Sequence, residues 1–108
     1  MLKTAEAVSL GHPDKISDYI SSYILDRMIE MDASVKYAVE VMVKGNTVVL
    51  GGEITGDVDL SNLTEYVKSA LREIGYDGRY SAIWGQYAID TNNITVINLI
   101  GVQSPDIN

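Results

Sequence analysis

The sequence predicts an α+β fold, in which an antiparallel sheet carries two main helices packed on one of its faces. Two segments place apolar residues at the three- and four-residue spacing of a helix. Three further segments are rich in β-branched residues, and glycine-containing turn signals separate the first two of them. The chain has 108 residues, 46% of them hydrophobic, which is enough for one domain spanning residues 1–108.

The first helix is predicted to run from Pro13 to Asp32. Pro13 suits the first helical position, where a missing backbone N–H costs nothing, and Asp14 lies favourably in the positive first turn. The apolar stripe of this helix consists of Ile16, Ile20, Ile24, Met28 and Met31, with Tyr19 and Tyr23 beside it.

A β-hairpin is predicted next, with strands from Val35 to Val43 and from Thr47 to Thr55. Gly45 and Asn46 fit a two-residue turn with glycine at its first central position. Such a turn connects neighbouring antiparallel strands, so the two segments should pair directly.

The length of this turn decides where two strand carboxylates lie. With two turn residues, Glu40 faces Gly51, and Glu40 and Glu53 lie diagonally on the same face of the sheet. A three-residue loop would reverse the alternation and place the two carboxylates on opposite faces. The two-residue turn is the preferred interpretation, and the longer loop stays open as its alternative.

A second helix is predicted from about Ser61 to Ile74. Asn62 and Glu65 offer a capping box at its start, and Gly75 is a natural terminator. Its apolar stripe consists of Leu63, Val67, Ala70, Leu71 and Ile74. The sequence gives little structural signal from residue 77 to 93, and residues 95–100 are typical of a buried strand.

The composition excludes several classes of function. A net charge of −7 without a basic tract argues against nucleic-acid binding. The chain has no cysteine, so it forms neither a disulfide framework nor a thiolate metal site. Without a signal peptide or a membrane-spanning apolar run, the expected location is the cytoplasm, with no membrane partner.

Three residues at the start of the first helix are candidates for phosphate chemistry. The N-terminus of a helix attracts anions through its free N–H groups and its dipole. There, Asp14 is suited to Mg²⁺, Lys15 to a phosphate oxygen, and His12 to donating a hydrogen bond to a leaving oxygen. The alternative is that this run only begins a surface helix.

Two strand carboxylates are candidates for ligand binding. Glu40 interrupts an apolar strand, where a buried charge would need a partner or a cation. Glu53 follows two glycines, which often mark the close approach of a ligand or of another backbone. The alternatives are an edge position that points Glu40 into water and a bulge that carries a solvated Glu53.

Several motifs, taken in order, resemble the amino-terminal domain of S-adenosylmethionine synthetases (methionine adenosyltransferases). A run from Thr4 to Val8 leads into Gly11-His12-Pro13-Asp14-Lys15-Ile16. The later blocks are Glu40-Val41-Met42-Val43-Lys44, Gly51-Gly52-Glu53-Ile54-Thr55, Arg72-Glu73-Ile74-Gly75-Tyr76 and Gln103-Ser104-Pro105-Asp106-Ile107-Asn108. The resemblance covers nearly all of the chain outside residues 76–93, and it implies the fold of one repeat of that enzyme.

The resemblance implies the reaction of ATP, L-methionine and water to S-adenosylmethionine, phosphate and diphosphate. It implies that His12 and Lys15 are catalytic and bind ATP at its triphosphate, and that the cofactors are Mg²⁺ on Asp14 and K⁺ on Glu40. It further implies that Glu53 and Gln103 hold methionine. Gln103, Ser104, Pro105, Asp106, Ile107 and Asn108 would begin a flexible loop over the active site.

The resemblance also implies that the enzyme is larger than this chain. Family members have three similar domains and form active sites between the subunits of a dimer, so we expect a homo-oligomer through the apolar sheet face and little turnover by this chain alone. The alternative function is a non-catalytic module of the same fold that binds a nucleotide, methionine or a partner chain. Two departures from the family pattern are Leu10, where an acidic residue is usual, and residues 77–93; the role of Glu6 is unassigned.

Overall fold

The computed structural model describes residues 13–74 and 91–104, and the side chains of Pro13 and Asp14 are not among the described ones. The helices are α1, Pro13–Met31, and α2, Leu63–Glu73. The strands are β1, Lys36–Lys44, β2, Thr47–Thr55, and β3, Thr95–Gln103, with a 3₁₀ turn at Thr91–Asn93 before β3. The predictions for Glu6, Leu10, His12, Gly75, residues 77–90 and the end of the loop at residues 105–108 lie outside this description.

The three strands form one mixed sheet in the order β1-β2-β3. The α+β class is confirmed, and β1 and β2 pair antiparallel as expected. The expectation of a wholly antiparallel sheet is wrong, since β3 lies parallel to β2. The physical reason is the connection, which contains α2 and therefore returns the chain to the end of the sheet where β2 began.

The hairpin between β1 and β2 has the predicted two-residue turn. Lys44 pairs with Thr47, and Glu40 pairs with Gly51. The φ angle of Gly45 is +58°, whereas Asn46 does not have a positive φ. A positive φ at only the first central residue defines a type II′ turn, whose twist matches that of the strands. The three-residue alternative is thereby excluded, and Glu40 and Glu53 lie on one face.

The helix α1 buries one stripe against the sheet. Its fully buried residues are Ile16, Ile20, Ile24 and Met28, each at most 1% exposed. This four-residue spacing confirms the predicted stripe from Ile16 to Met28. Met31, at the end of the predicted stripe, and Tyr19, beside it, are exposed. On the sheet, Val48, Leu50 and Ile54 of β2 complete the same core. Alternate residues of β2 therefore face the helices.

The helix α2 packs beside α1 on the same face, which confirms the predicted arrangement of the two helices. Leu63, Val67, Ala70 and Leu71 are buried, as expected from their spacing. The predicted capping box is wrong, because the Asn62 side chain makes no capping hydrogen bond. Instead the Asn62 backbone oxygen accepts a hydrogen bond from the Tyr66 N–H at 3.0 Å.

The strand β3 is longer and less buried than the sequence suggested. It extends to Gln103, and its burial alternates in part: Val96 and Ile100 pack against the core, whereas Leu99 is 66% exposed. The prediction of a fully buried strand is therefore wrong. Hydrogen bonds at both ends fix its position, from the Thr95 N–H to the Asn46 oxygen and from the Gly56 N–H to the Gln103 oxygen.

The carboxylate of Asp32 ties the end of α1 to the end of β2. One oxygen accepts a hydrogen bond from the Asp57 N–H at 2.9 Å, and the other accepts two from Ser34. These donors, the Asp57 N–H first, lower the pKa of Asp32 because they stabilise its charged form.

This lowered pKa predicts a dependence of stability on pH. The stability that the Asp32 carboxylate contributes is fully present above the pKa of Asp32 in the unfolded chain, which is about 4. It is lost as the pH falls through the lower pKa of Asp32 in the folded chain. We expect Asp32→Asn to reduce stability at pH 7 and to flatten the loss on acidification, as measured by urea unfolding between pH 2 and 7. Asp18→Asn, an exposed change on α1, is the control; equal pH curves for Asp32→Asn and the unmodified chain would contradict this role.

Candidate functional site

One face of the sheet is turned away from both described helices, and we call it the open face. It carries alternate residues of each strand, and their register places them in five rows across the sheet. The rows are Lys36, Thr55 and Gln103; Ala38, Glu53 and Gly101; Glu40, Gly51 and Leu99; Met42, Val49 and Ile97; and Lys44, Thr47 and Thr95.

The open face has a polar part and an apolar part. Glu40, Glu53 and Gln103, all predicted site residues, lie in the first three rows and are exposed. Met42, Ile97 and Leu99 lie in the third and fourth rows and are 60%, 41% and 66% exposed. Exposed apolar residues that lie together on one face of a sheet are typical of a binding surface. The carboxylates therefore border a surface that can take an apolar group.

The Glu53 carboxylate lies directly over the backbone of Gly101 on the neighbouring strand. A Cβ atom placed on Gly101 would stand 2.8 Å from one Glu53 carboxylate oxygen and 2.9 Å from the other. Neither an ion pair nor a hydrogen bond joins this carboxylate to the described residues. It is thus held above β3 with its charge available to a ligand. Gly101 was not predicted, although a glycine within an apolar strand is a signal of close approach.

The Glu40 carboxylate stands opposite Gly51, where the sheet is bare. A Cβ atom on Gly51 would meet no atom of the described residues within 4 Å, and the φ of Gly51 is not positive. Gly52 differs, because its φ is +119° and a Cβ would lie 2.1 Å from the Ala38 oxygen. The chain's own packing thus requires glycine at position 52 and leaves position 51 free. No described residue fills the space above Gly51, beside Glu40 and Glu53.

Lys15, the member of the predicted helix-start cluster whose side chain is described, lies apart from this surface. Lys15 is exposed in the first turn of α1, and α1 packs on the opposite face of the sheet from Glu40 and Glu53. Asp14 is in the same turn, but its side chain is outside the described part, as is His12. The described residues therefore bring the two carboxylates and Gln103 onto one face, and they do not bring Lys15 to them.

A concave region lies between the two helices, away from the open face. Tyr19, Ser22, Tyr23, Asp26, Arg27 and Glu73 line it. The Tyr19 hydroxyl donates a hydrogen bond to Glu73, which raises the pKa of Tyr19, and the Arg27 guanidinium lies 4.8 Å from the centre of the Tyr23 ring. Because Tyr19, Glu73 and Arg27 already have partners and the region includes no predicted site residue, we place the candidate site on the open face.

The described residues contain no group of three or more His, Asp or Glu side chains arranged to hold a metal ion. A metal ion at Glu40 would therefore need further ligands from outside the described residues. The helices described are also too short or too polar to cross a membrane.

Comparison with known proteins agrees with the motifs. Residues 1–105 match the family model of the S-adenosylmethionine synthetase N-terminal domain. The S-adenosylmethionine synthases of Borreliella afzelii (strain PKo) and of Borrelia garinii subsp. bavariensis are each 44% identical over 105 residues, which is 96% of this chain and 25% of theirs. A solved structure described as an unusual S-adenosylmethionine synthetase from Campylobacter jejuni matches with a TM-score of 0.78 and 36% identity, over 91% of this chain and 26% of that one.

A mixed sheet with both described helices on one face and Glu40 and Glu53 on the other defines a two-layer α+β domain. The chain belongs to the S-adenosylmethionine synthetase family, as its N-terminal domain. It spans about a quarter of the length of the curated relatives it matches.

Proposed function

We propose that this chain supplies the N-terminal part of a methionine adenosyltransferase, which converts ATP, L-methionine and water to S-adenosylmethionine, phosphate and diphosphate. The observation that carries the proposal is the open face, where Glu53 and Gln103 lie diagonally on neighbouring strands beside exposed apolar residues. A methionine molecule has the matching parts, namely a charged ammonium group and an apolar thioether chain. The names of the matched relatives support this choice of substrate.

On this proposal, Glu53 accepts a hydrogen bond from the ammonium group of methionine, and Gln103 orients the amino acid. A charge-assisted hydrogen bond of this kind contributes about 1.5–3 kcal/mol. The adjacent apolar rows of the sheet exclude water from the side chain of the substrate, which holds its sulfur atom in a fixed position.

The residues for the triphosphate are those at the start of α1. His12 and Lys15 bind the leaving triphosphate, and Asp14 holds Mg²⁺, which neutralises phosphate charge when bound. The start of a helix of this length favours anions, and Lys15 is exposed there to reach one. Since α1 lies on the other face of the sheet, these residues serve a site whose remaining walls come from other segments or a second copy.

The potassium ion is assigned to Glu40. Its carboxylate is exposed, makes no ion pair with the described residues, and stands opposite the open space above Gly51. An oxygen ligand beside free space fits a hard cation, which would supply positive charge next to the substrates. The remaining ligands come from outside the described residues.

The partner is a second copy of this chain or of the enzyme that contains it, docked through the apolar rows of the open face. Met42, Ile97 and Leu99 are large and exposed there, and covering them would remove apolar area from water. Since the chain spans only a quarter of its relatives, we expect little S-adenosylmethionine formation by these 108 residues alone. We propose that the protein acts in the cytoplasm.

Replacement of Glu53 tests the methionine site. We expect the 108-residue chain to bind L-methionine in a calorimetric titration, and Glu53→Gln to weaken binding by about tenfold or more, because the amide lacks the charge that pairs with ammonium. Glu65→Gln makes the same chemical change on the exposed side of α2 and should leave the affinity unaltered. Equal methionine affinities for Glu53→Gln and Glu65→Gln would contradict the assignment of Glu53 to the methionine site. No binding of methionine by the unmodified chain would contradict a site held by this chain alone.

A further inference from the structure

We propose that Gly101 is a positioning residue: its missing side chain leaves the space in which the Glu53 carboxylate lies, and so sets the place from which Glu53 meets the substrate. The inference deepens the proposed function and rests on the assignment of Glu53 to methionine. Glu53 and Gly101 are direct partners in the parallel register of β2 and β3, so their side-chain positions point to the same face.

The distances show that the carboxylate and a side chain at position 101 exclude each other. An added Cβ would lie 2.8 Å and 2.9 Å from the two carboxylate oxygens and 3.1 Å from the carboxyl carbon. The atoms approached belong to the far end of a flexible side chain, so Glu53 can rotate away. Any residue other than glycine at position 101 therefore moves the charge without requiring the backbone to move.

The conformation of Gly101 itself does not require glycine. Its φ is not positive, unlike that of Gly52, so alanine can adopt the backbone conformation of β3 at this position. Gly101→Ala should thus fold normally and change chiefly the direction of Glu53. The three glycines of the sheet therefore have different roles. Glycine at position 52 is required by the packing of β1, and glycine at position 101 leaves room for the Glu53 carboxylate. A Cβ added to Gly51 would have no atom of the described residues within 4 Å.

Movement of the carboxylate matters because the hydrogen bond proposed between Glu53 and the ammonium group of methionine depends on the distance and angle between them. Ala38 flanks Glu53 on the β1 side, in the same row, and already carries a Cβ. The carboxylate therefore lies toward β3, the strand that also carries Gln103 two residues after Gly101. Glu53 and Gln103 can then contact the same ligand. Displacement of the Glu53 carboxylate would move it away from the Gln103 side chain.

The first experiment measures Glu53 in the chain without ligand. Three-bond couplings in the isotope-labelled 108-residue chain report the χ1 rotamer of Glu53, and we expect Gly101→Ala to change its major rotamer or its carboxyl chemical shift. Gly51→Ala adds a methyl group one row away, where no atom of the described residues lies within 4 Å, and it should leave both values unaltered. An unchanged Glu53 in Gly101→Ala would overturn the proposal, whatever the outcome with methionine.

The second experiment is a double-mutant cycle on methionine affinity. We expect Gly101→Ala to weaken binding on the order of tenfold in the unmodified background, and to have no further effect in the Glu53→Ala background, where no carboxylate remains to be moved. A loss of the same size in both backgrounds would show that Gly101 acts without Glu53 and would also overturn the proposal. If the unmodified chain binds no methionine, the proposal that this chain alone holds the methionine site fails, while the rotamer measurement still decides the role of Gly101.

Discussion

Gly52→Ala is expected to destabilise the chain by about 3 kcal/mol or more, a large share of the stability of a domain of this size. Two costs combine. The φ of +119° lies in a region that residues with a Cβ rarely adopt, which costs about 1–3 kcal/mol. The Cβ would also lie 2.1 Å from the Ala38 oxygen, a backbone atom that moves only if β1 moves, which adds about 1–3 kcal/mol. Urea unfolding followed by circular dichroism measures the change.

Gly51→Ala is the matched control for this prediction. It makes the same substitution one residue earlier on the same strand, but at an ordinary φ, and in the described part of the chain no atom lies within 4 Å of the new methyl group. We expect its free energy of unfolding to remain within about 1 kcal/mol of the unmodified chain, since alanine restricts the unfolded backbone slightly more than glycine. Similar stabilities of the two variants would show that the close approach of β1 to Gly52 is absent in solution.

Leu71→Ala is expected to cost about 2–5 kcal/mol of stability, through lost burial and the cavity left between the helices and the sheet. Leu71 of α2 has no exposed surface and belongs to the same core as Ile20 and Leu50. A loss of this size lowers the urea midpoint strongly, and it leaves part of the chain unfolded at 25 °C if the starting stability is near 5 kcal/mol. Either outcome is measurable by circular dichroism.

Leu99→Ala provides the comparison with the same chemical change at an exposed position. Leu99 is 66% exposed on the open face, so its truncation should alter the unfolding free energy of the monomer by no more than about 0.5 kcal/mol. Its effect should fall instead on self-association, which sedimentation of the same samples measures. A large stability loss for Leu99→Ala in a monomeric sample would mean that the open face is covered within the chain itself.

Much of the fold could be predicted from local patterns. The α1 stripe and the Gly45-Asn46 turn depend on residues close in the sequence, whose spacing directly reflects helix or hairpin geometry. The side on which β3 joins the sheet and its direction depend instead on a connection of about forty residues, from Thr55 to Thr95. Nothing local to β3 records its direction, so the antiparallel expectation failed. The prediction of a side-chain cap at Asn62 was also wrong. The residue types at the start of a helix permit such a cap but do not require it.

The candidate site divides in the same way. Glu40 and Glu53 could be placed on one face from the hairpin register alone, because side chains alternate strictly along paired strands. Gly101 could not be connected with Glu53, because the contact joins residues 48 positions apart through the parallel register of β3. The assignments of His12, Asp14 and Lys15 rest on motif resemblance, and for the described residue Lys15 the structure shows a position on the helix side of the sheet.

The sequence by itself determined the family, the two helices, the hairpin and the common face of its two carboxylates, since each is encoded in ordered motifs or in short-range periodicity. Tertiary structure alone decided the parallel addition of β3, the exposure of Met42, Ile97 and Leu99, and the place of the Glu53 carboxylate over Gly101. These features arise where segments that are distant in the sequence pack against each other. The space between β2 and β3 depends on the residues of both strands, so it cannot be predicted from either strand alone.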